Sequence, residues 1–378
     1  MKKAFFIPVV IAIIIFFSFE SEKENVVRLF HPSISQPIAK TIPHIIHFND
    51  TLFNDTLLEH SSADNFPVMY SRKIMTAVCI KGECRLVRIE LFWDCTGRYL
   101  GFELPPGEFL SKTEHVKFVP SEYDRLHKLL SDPLSALANY ALSDLVVVKD
   151  STKQKVDAKS SATIAAVLDY IVEGAVYTTY TLWHIIYGQT RREVEKLTAE
   201  KLNDKMILAI LNSKNLEDQI WALNHISEKV ELTPPLQDKL MQYISGDDVY
   251  LAERALNAIR PEALSEEMQN RIMQVFSDGE FLKQRFILQK LKDAPELSHA
   301  TKLSLSQNIG SLQGALVKLA LELLDVQKID DEIINSNISV LLKSENRYVS
   351  NLAYKFLETR NQVDKKTQRG LDKYKRNS

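Results

Sequence analysis

Residues 156 to 163 read Val156-Asp157-Ala158-Lys159-Ser160-Ser161-Ala162-Thr163 and place a threonine hydroxyl where a phosphate is most easily held. Behind them Ile164, Val167, Leu168 and Ile171 keep helical spacing up to Gly174, so Thr163 falls in the first turn of an expected helix. Unpaired N–H groups and the positive end of the helix dipole favour an anion at that position. The same Ser160-Ser161 pair also serves as a plain helix cap. An anion-bearing threonine and an ordinary helix start therefore stand side by side.

Cysteine is the second chemistry-bearing residue type. Cys79 and Cys84 flank Ile80-Lys81-Gly82-Glu83, a turn sequence, and Cys95 lies within the same short stretch. Three thiols are too few for a four-ligand zinc site. A Cys79–Cys84 bridge across a hairpin would close a small loop and contribute about 2 kcal/mol; two free thiols or a redox pair are the alternatives. His115 and His127 stand alone and read as structural or exposed residues rather than catalysts. No nucleophile elbow, Walker loop, His-Glu-x-x-His or dinucleotide glycine pattern occurs, which removes the common hydrolase and kinase chemistries and leaves the catalytic set empty. No metal site is expected.

The octapeptide at 156–163 resembles the flavinylation motif of the FMN-binding domain found in subunits of sodium-pumping quinone reductases and Rnf-type electron-transfer complexes. That motif runs Asp, two variable residues, Ser or Thr, Gly, Ala, Thr; Asp157, Ser160, Ala162 and Thr163 match it, and Ser161 stands where the family has Gly. The resemblance implies FMN joined to Thr163 through a phosphoester and a domain over roughly residues 71–190. The substitution at 161 sets a second reading beside it, a retained domain that carries no flavin.

The elements that must hold these residues fall into two parts. Val87, Ile89, Leu91 and Trp93 alternate with Arg88, Glu90 and Phe92, the period of a half-buried strand. Gly97 breaks the run before a second strand over 99–103, which Pro105-Pro106-Gly107 ends. A helix is predicted after Pro120 with Ser121 as its cap, and Leu145 to Val148 reads as another buried strand. The region is α+β, a small antiparallel sheet with helices. Tyr177, Tyr180, His184 and Tyr187 would share one helical face and are read as packing of a connecting helix against the first repeat, ahead of a ring-stacking site.

Beyond residue 195 strand signals vanish and about five units repeat at steps of about 33 residues, beginning at Leu202, Leu236, Met268, Thr301 and Ile334. Leu236, Leu240 and Ile244 form one stripe, Ala255 and Ile259 the next, and the pattern recurs as Met268, Ile272, Phe276, then Ile287 and Leu291. Such a period means paired helices that bury their apolar faces on neighbouring pairs. The units resemble HEAT-like repeats over 195–360, an all-α solenoid offering protein partners a surface.

Outside these parts lie three segments. Lys2 and Lys3 precede an apolar run from Ala4 to Phe19, which reads as a signal peptide or an N-terminal membrane anchor over residues 1–21 and implies export to the periplasm or cell surface. Residues 22–70 are polar, carry Pro37, Pro43 and Pro67, and are expected to be a tether. Residues 361–378 form a basic tail, expected to be solvated and frayed. Lys plus Arg (47) nearly balances Asp plus Glu (49), so no global field attracts nucleic acid. Taken together, the sequence reads as a membrane-tethered binding or scaffold protein outside the cytoplasm, with a covalent electron-transfer flavoprotein as the alternative.

Overall fold

The computed structural model describes residues 26–51, 55–78, 85–112, 115–145, 167–226 and 230–377. Six strands, β1 (Val26–Leu29), β2 (Ile38–Ile45), β3 (Thr56–Ser62), β4 (Pro67–Thr76), β5 (Val87–Asp94) and β6 (Tyr99–Leu104), form one sheet in the order β1-β6-β5-β4-β3-β2, every pair antiparallel. The expected hairpin is present: Asp94 and Gly97 close its turn, where Gly97 adopts φ +79. Val87, Ile89, Leu91 and Trp93 are buried as the alternation predicts; Phe92 on the other face is buried as well.

The stretch expected as a tether is instead the outer half of this sheet. It supplies β1, β2, β3 and the start of β4. Its prolines misled because one of them, Pro43, sits in β2 at the sheet edge, where a missing N–H costs no ladder bond. β2 is also largely exposed, so it carries no apolar alternation.

Helices α1 (Pro120–Leu130), α2 (Leu142–Leu145), α3 (Val176–Ile186) and α4 (Gln189–Ala199) come after the sheet. The helix after Pro120 is confirmed, but Ser121 does not cap it. Val119 is the cap residue, and Glu122 reaches back to accept from the Val119 N–H at 2.9 Å. Leu145 ends a short helix rather than starting a strand, and Val146 to Val148 lie outside the described residues. α3 and α4 lie on the inner face of the sheet: the Trp93 indole N–H donates to the Ile186 carbonyl at 3.0 Å, Arg72 donates to the Thr190 hydroxyl at 2.7 Å, and the Thr198 hydroxyl donates to that of Tyr70 at 3.2 Å. Helix α4 thus crosses the expected boundary at residues 190–195 and belongs to the sheet's packing.

The remaining helices are α5 (Asp204–Leu211), α6 (Leu216–Asn224), α7 (Pro234–Ser245), α8 (Val249–Ala258), α9 (Glu266–Asp278), α10 (Phe281–Leu291), α11 (His299–Asn308), α12 (Gly314–Val326), α13 (Glu332–Ile338), α14 (Arg347–Leu357) and α15 (Lys365–Asn377). They pack in two rows. α5, α7, α9, α11 and α13 contact one another in turn, with α15 against α13 at the end, and α6, α8, α10, α12 and α14 do the same. The stripes Leu236/Leu240/Ile244, Met268/Ile272/Phe276, Ala320/Leu324 and Ala353/Leu357 are all buried. Side-chain caps start many of these helices: Asn203, Asn215, Asp248, Ser265, Ser298, Asp331 and Asn346 each accept from a first-turn N–H.

Two expectations about the ends are corrected. The basic tail is not frayed: it forms α15, which buries Thr367 and Leu371 against its neighbours. The expected transmembrane helix is not found, because no helix among the described residues is long and apolar enough to cross a membrane. The longest, α9, α12 and α15, have 13 residues and span about 20 Å at about 1.5 Å per residue, against about 30 Å of hydrocarbon. Residues 1–21 lie outside the described residues.

Candidate functional site

The end of the helical array carries the most chemically suggestive surface. Asp364 accepts from the Thr367 N–H at 2.6 Å and starts α15. Thr367, Leu371 and Tyr374 recur at helical spacing and face the array, the Tyr374 ring stacking on Tyr354 with centroids 5.0 Å apart. Gly370 lets the helix come close, since a Cβ there would stand 3.1 Å from Leu342 Cδ1 in the 3₁₀ segment Ser339–Lys343. Between α15, that 3₁₀ segment and the start of α14 lies a groove of about 910 Å³.

Its rim is cationic. Lys343, Arg347, Lys366, Arg369 and Lys373 all line it and all are exposed, while no carboxylate lines it. Among the described residues none of these five forms an ion pair. Val340, Leu342 and Tyr374 give the groove apolar surface between the charges. Sequence reading noticed the tail cations and missed the groove. The available signal was the coincidence of Lys366, Arg369 and Lys373 on one helical face with Thr367, Leu371 and Tyr374 on another.

A second feature is periodic. Leu216, Tyr250, Leu282 and Tyr348 stand in the first turns of α6, α8, α10 and α14, all in one row, and are 50%, 65%, 40% and 50% exposed. The corresponding turn of α12 begins Gly314-Ala315 and is small instead. Beyond that interruption Tyr348 adjoins Arg347, which lines the groove.

The molecule's buried polar clusters tie its parts together. Asp94, at the end of β5, accepts from the Ser33 hydroxyl at 2.9 Å, the Cys95 N–H at 2.8 Å and Arg98 Nη2 at 3.0 Å. Arg98 in turn holds Asp218 of α6, which also accepts from Thr96 at 3.1 Å and Ser213 at 2.8 Å. Burial, and then the neighbouring Asp218 charge, push the Asp94 carboxyl up to about 7. Burial also raises the Cys95 thiol, so this cysteine is held unreactive. Both carboxylates are inaccessible to solvent, which makes the cluster a clasp between sheet and array and not a reaction centre.

A similar tie joins β3 to the chain after α4. Lys201 Nζ lies 2.6 Å from both oxygens of buried Glu59, which also accepts from Ser61 and contacts His44 Nε2 at 3.0 Å. Burial alone would raise the Glu59 carboxyl, but Lys201, Ser61 and His44 outweigh it and hold it below its usual range. Ser71 Oγ and His60 Nε2 are 2.8 Å apart, the spacing of a nucleophile and its base. His60 Nδ1 meets the Thr41 hydroxyl, not a carboxylate, and Ser71 is fully buried, so the pair lacks both the orienting anion and access.

Asp157, Ser160, Ser161, Ala162 and Thr163, and likewise Cys79 and Cys84, lie outside the described residues. His127 is packed on Phe30 with ring centroids 4.1 Å apart and near Tyr99, and burial lowers it to about 4. His115 takes φ +62 in a connection. The face of Tyr177, Tyr180, His184 and Tyr187 is half-buried, and it packs on the end of α1 and the segment after it instead of on the first repeat: Tyr180, Tyr187 and the neighbouring Trp183 donate to the carbonyls of Tyr140, Leu130 and Asp132. Comparison with protein-family models and with curated proteins finds no match.

Proposed function

We propose that this protein is an exported binding or scaffold protein in which a HEAT-like helical solenoid presents a surface to a protein partner and the sheet module is clasped to its first helices. The observation that carries the reading is the row of exposed Leu216, Tyr250, Leu282 and Tyr348 in the first turns of four of the five helices of one row. Unlike singly scattered ones, exposed apolar residues repeated in the first turn of neighbouring helices line up as a contact strip, broken here only at the small first turn of α12. The Arg98 clasp supports a rigid mount for that strip, because it ties the array's first pair to the sheet. The pattern of Lys2, Lys3 and residues 4–19 supports export.

Photo-crosslinking in the native host tests this. A crosslinking amino acid at Tyr250, Leu282 or Tyr348 should give one common adduct, and the same group at Ile45, exposed on the sheet edge, should not. Adducts only from Ile45 would overturn the proposal.

The likeness of residues 157–163 to the flavinylation motif supports a second reading, a covalent flavoprotein in extracytoplasmic electron transfer whose FMN is carried by Thr163 and whose redox partners dock on the helices.

A further inference from the structure

We infer that the groove between α14 and α15 binds an acidic peptide segment of the partner protein, two or more carboxylates placed around one apolar side chain. This rests on the partner-surface reading and names what the end of that surface takes. Five exposed cations converge on the groove from two sides: Lys343 and Arg347 from the array, and Lys366, Arg369 and Lys373 at helical spacing along α15. Elsewhere in the array cations meet acids across neighbouring helices, as Arg271 meets Asp238, Lys292 meets Glu322 and Arg360 meets Asp325. Here the charges face one concavity lined by no carboxylate. Clustered cations repel one another and are relieved by a bound anion.

The shape of the site selects the class of anion. Val340, 54% exposed, and buried Leu342 lie between the cations, so the ligand must offer apolar area along with charge. A polynucleotide takes its affinity from a long run of phosphate contacts, about six to ten for a typical site. The groove itself is lined by five cations, fewer than such a run needs, and Lys365, Lys375 and Arg376 of α15 do not line it. An acidic peptide of a few residues fits the extent of the charge, and the contact strip that ends at Tyr348 brings a partner to it.

The test uses the full chain and a fluorescent ten-residue peptide of glutamates around a central Leu-Phe pair, with anisotropy as the readout. Its glutamine counterpart, a thymidine oligonucleotide of equal length and anionic lipid vesicles are the other arms. The acidic peptide should bind, weaken as salt rises, and exceed each of the others. Arg347→Glu, Arg369→Glu and Lys373→Glu combined should weaken it at least about tenfold. Val340→Glu, at an exposed position that tolerates it, should weaken binding by placing a carboxylate in the groove, which guards against a triple variant that fails to fold. No binding, equal affinity in both folded variants, or tighter binding of the oligonucleotide or vesicles would overturn the inference. If crosslinks at Tyr250 and Leu282 survive in the triple variant while the peptide never binds, the partner surface stands and only the groove assignment fails.

Discussion

Arg98, just past the β5–β6 turn, grips Asp218 of α6 through two nitrogens, Nε at 2.8 Å and Nη2 at 2.9 Å, across 120 residues of chain. The same guanidinium reaches Asp94 at 3.0 Å, so one cation serves two buried carboxylates. Two acids against one base leave a surplus charge that burial penalises, and the Asp94 carboxyl answers by keeping its proton.

The stability of the clasp therefore depends on pH. Asp94 ionises near 3.8 when unfolded and near 7 when folded, so between those values the folded state binds the extra proton. Its contribution is full below about pH 4 and is lost as pH rises through about 7. Asp94→Asn cannot ionise. Its melting temperature should fall less than the parent's between about pH 5 and about pH 8.5, and an unchanged slope would refute the assignment.

Lys201→Met should leave Glu59 buried without its ammonium. Removing one partner of a buried pair costs about 3–5 kcal/mol; Lys201 is one-third exposed, so a discounted value of about 2–3 kcal/mol is expected. Adding Glu59→Gln should recover part of that loss. Urea titration of the two variants reads both values, and equal stability of single variant and parent would show that the ion pair is not holding β3.

The array's stripes predict where damage spreads. Ile259, Phe276 and Leu324 are wholly buried, and an aspartate at any of them strands a charge costing about 2–5 kcal/mol. Because each helix packs on its row neighbours, hydrogen exchange should rise in the adjoining pairs first. Three variants that kept the parent's melting temperature would mean that the stripes do not form the core.

The flavin proposal has a direct readout. Co-expression with a flavin transferase in an exporting host, then intact mass and denaturing-gel fluorescence, should show label on Thr163, and Thr163→Val should abolish the signal. Ser161→Gly should raise it by restoring the residue of the motif. An unlabelled Ser161→Gly chain beside an active transferase would remove the flavoprotein reading.

Much of this architecture was legible in residue spacing, and the exceptions share a cause. Stripes such as Leu236/Leu240/Ile244 announce helices because a buried face needs a regular period, and the β5 alternation does the same for a central strand. Edge strand β2 and helix α15 bury too little to leave that mark. β2 is exposed along most of its length, and α15 commits chiefly Thr367 and Leu371. The groove was hidden for another reason. Lys343 and Arg347 lie about twenty residues before Lys366, and only the packing of α15 over Leu342 brings them to one site.

The sheet's first strand also orders events in time. Val26 to Leu29 pair with Leu104 to Gly101, and at the end of that register the chains approach so closely that a Cβ on Gly101 would fall 1.9 Å from the Arg28 carbonyl oxygen. A chain emerging from its N-terminus makes β1 first yet has nothing to pair it with until β6 appears, so those residues spend the interval as an unpaired edge. The helical rows face no such delay, since each new pair closes on the one just made. One chain thus contains a part that must wait for its own far end and a part that grows by accretion, and any factor that shields exposed segments during synthesis would be needed early, at β1, and not late.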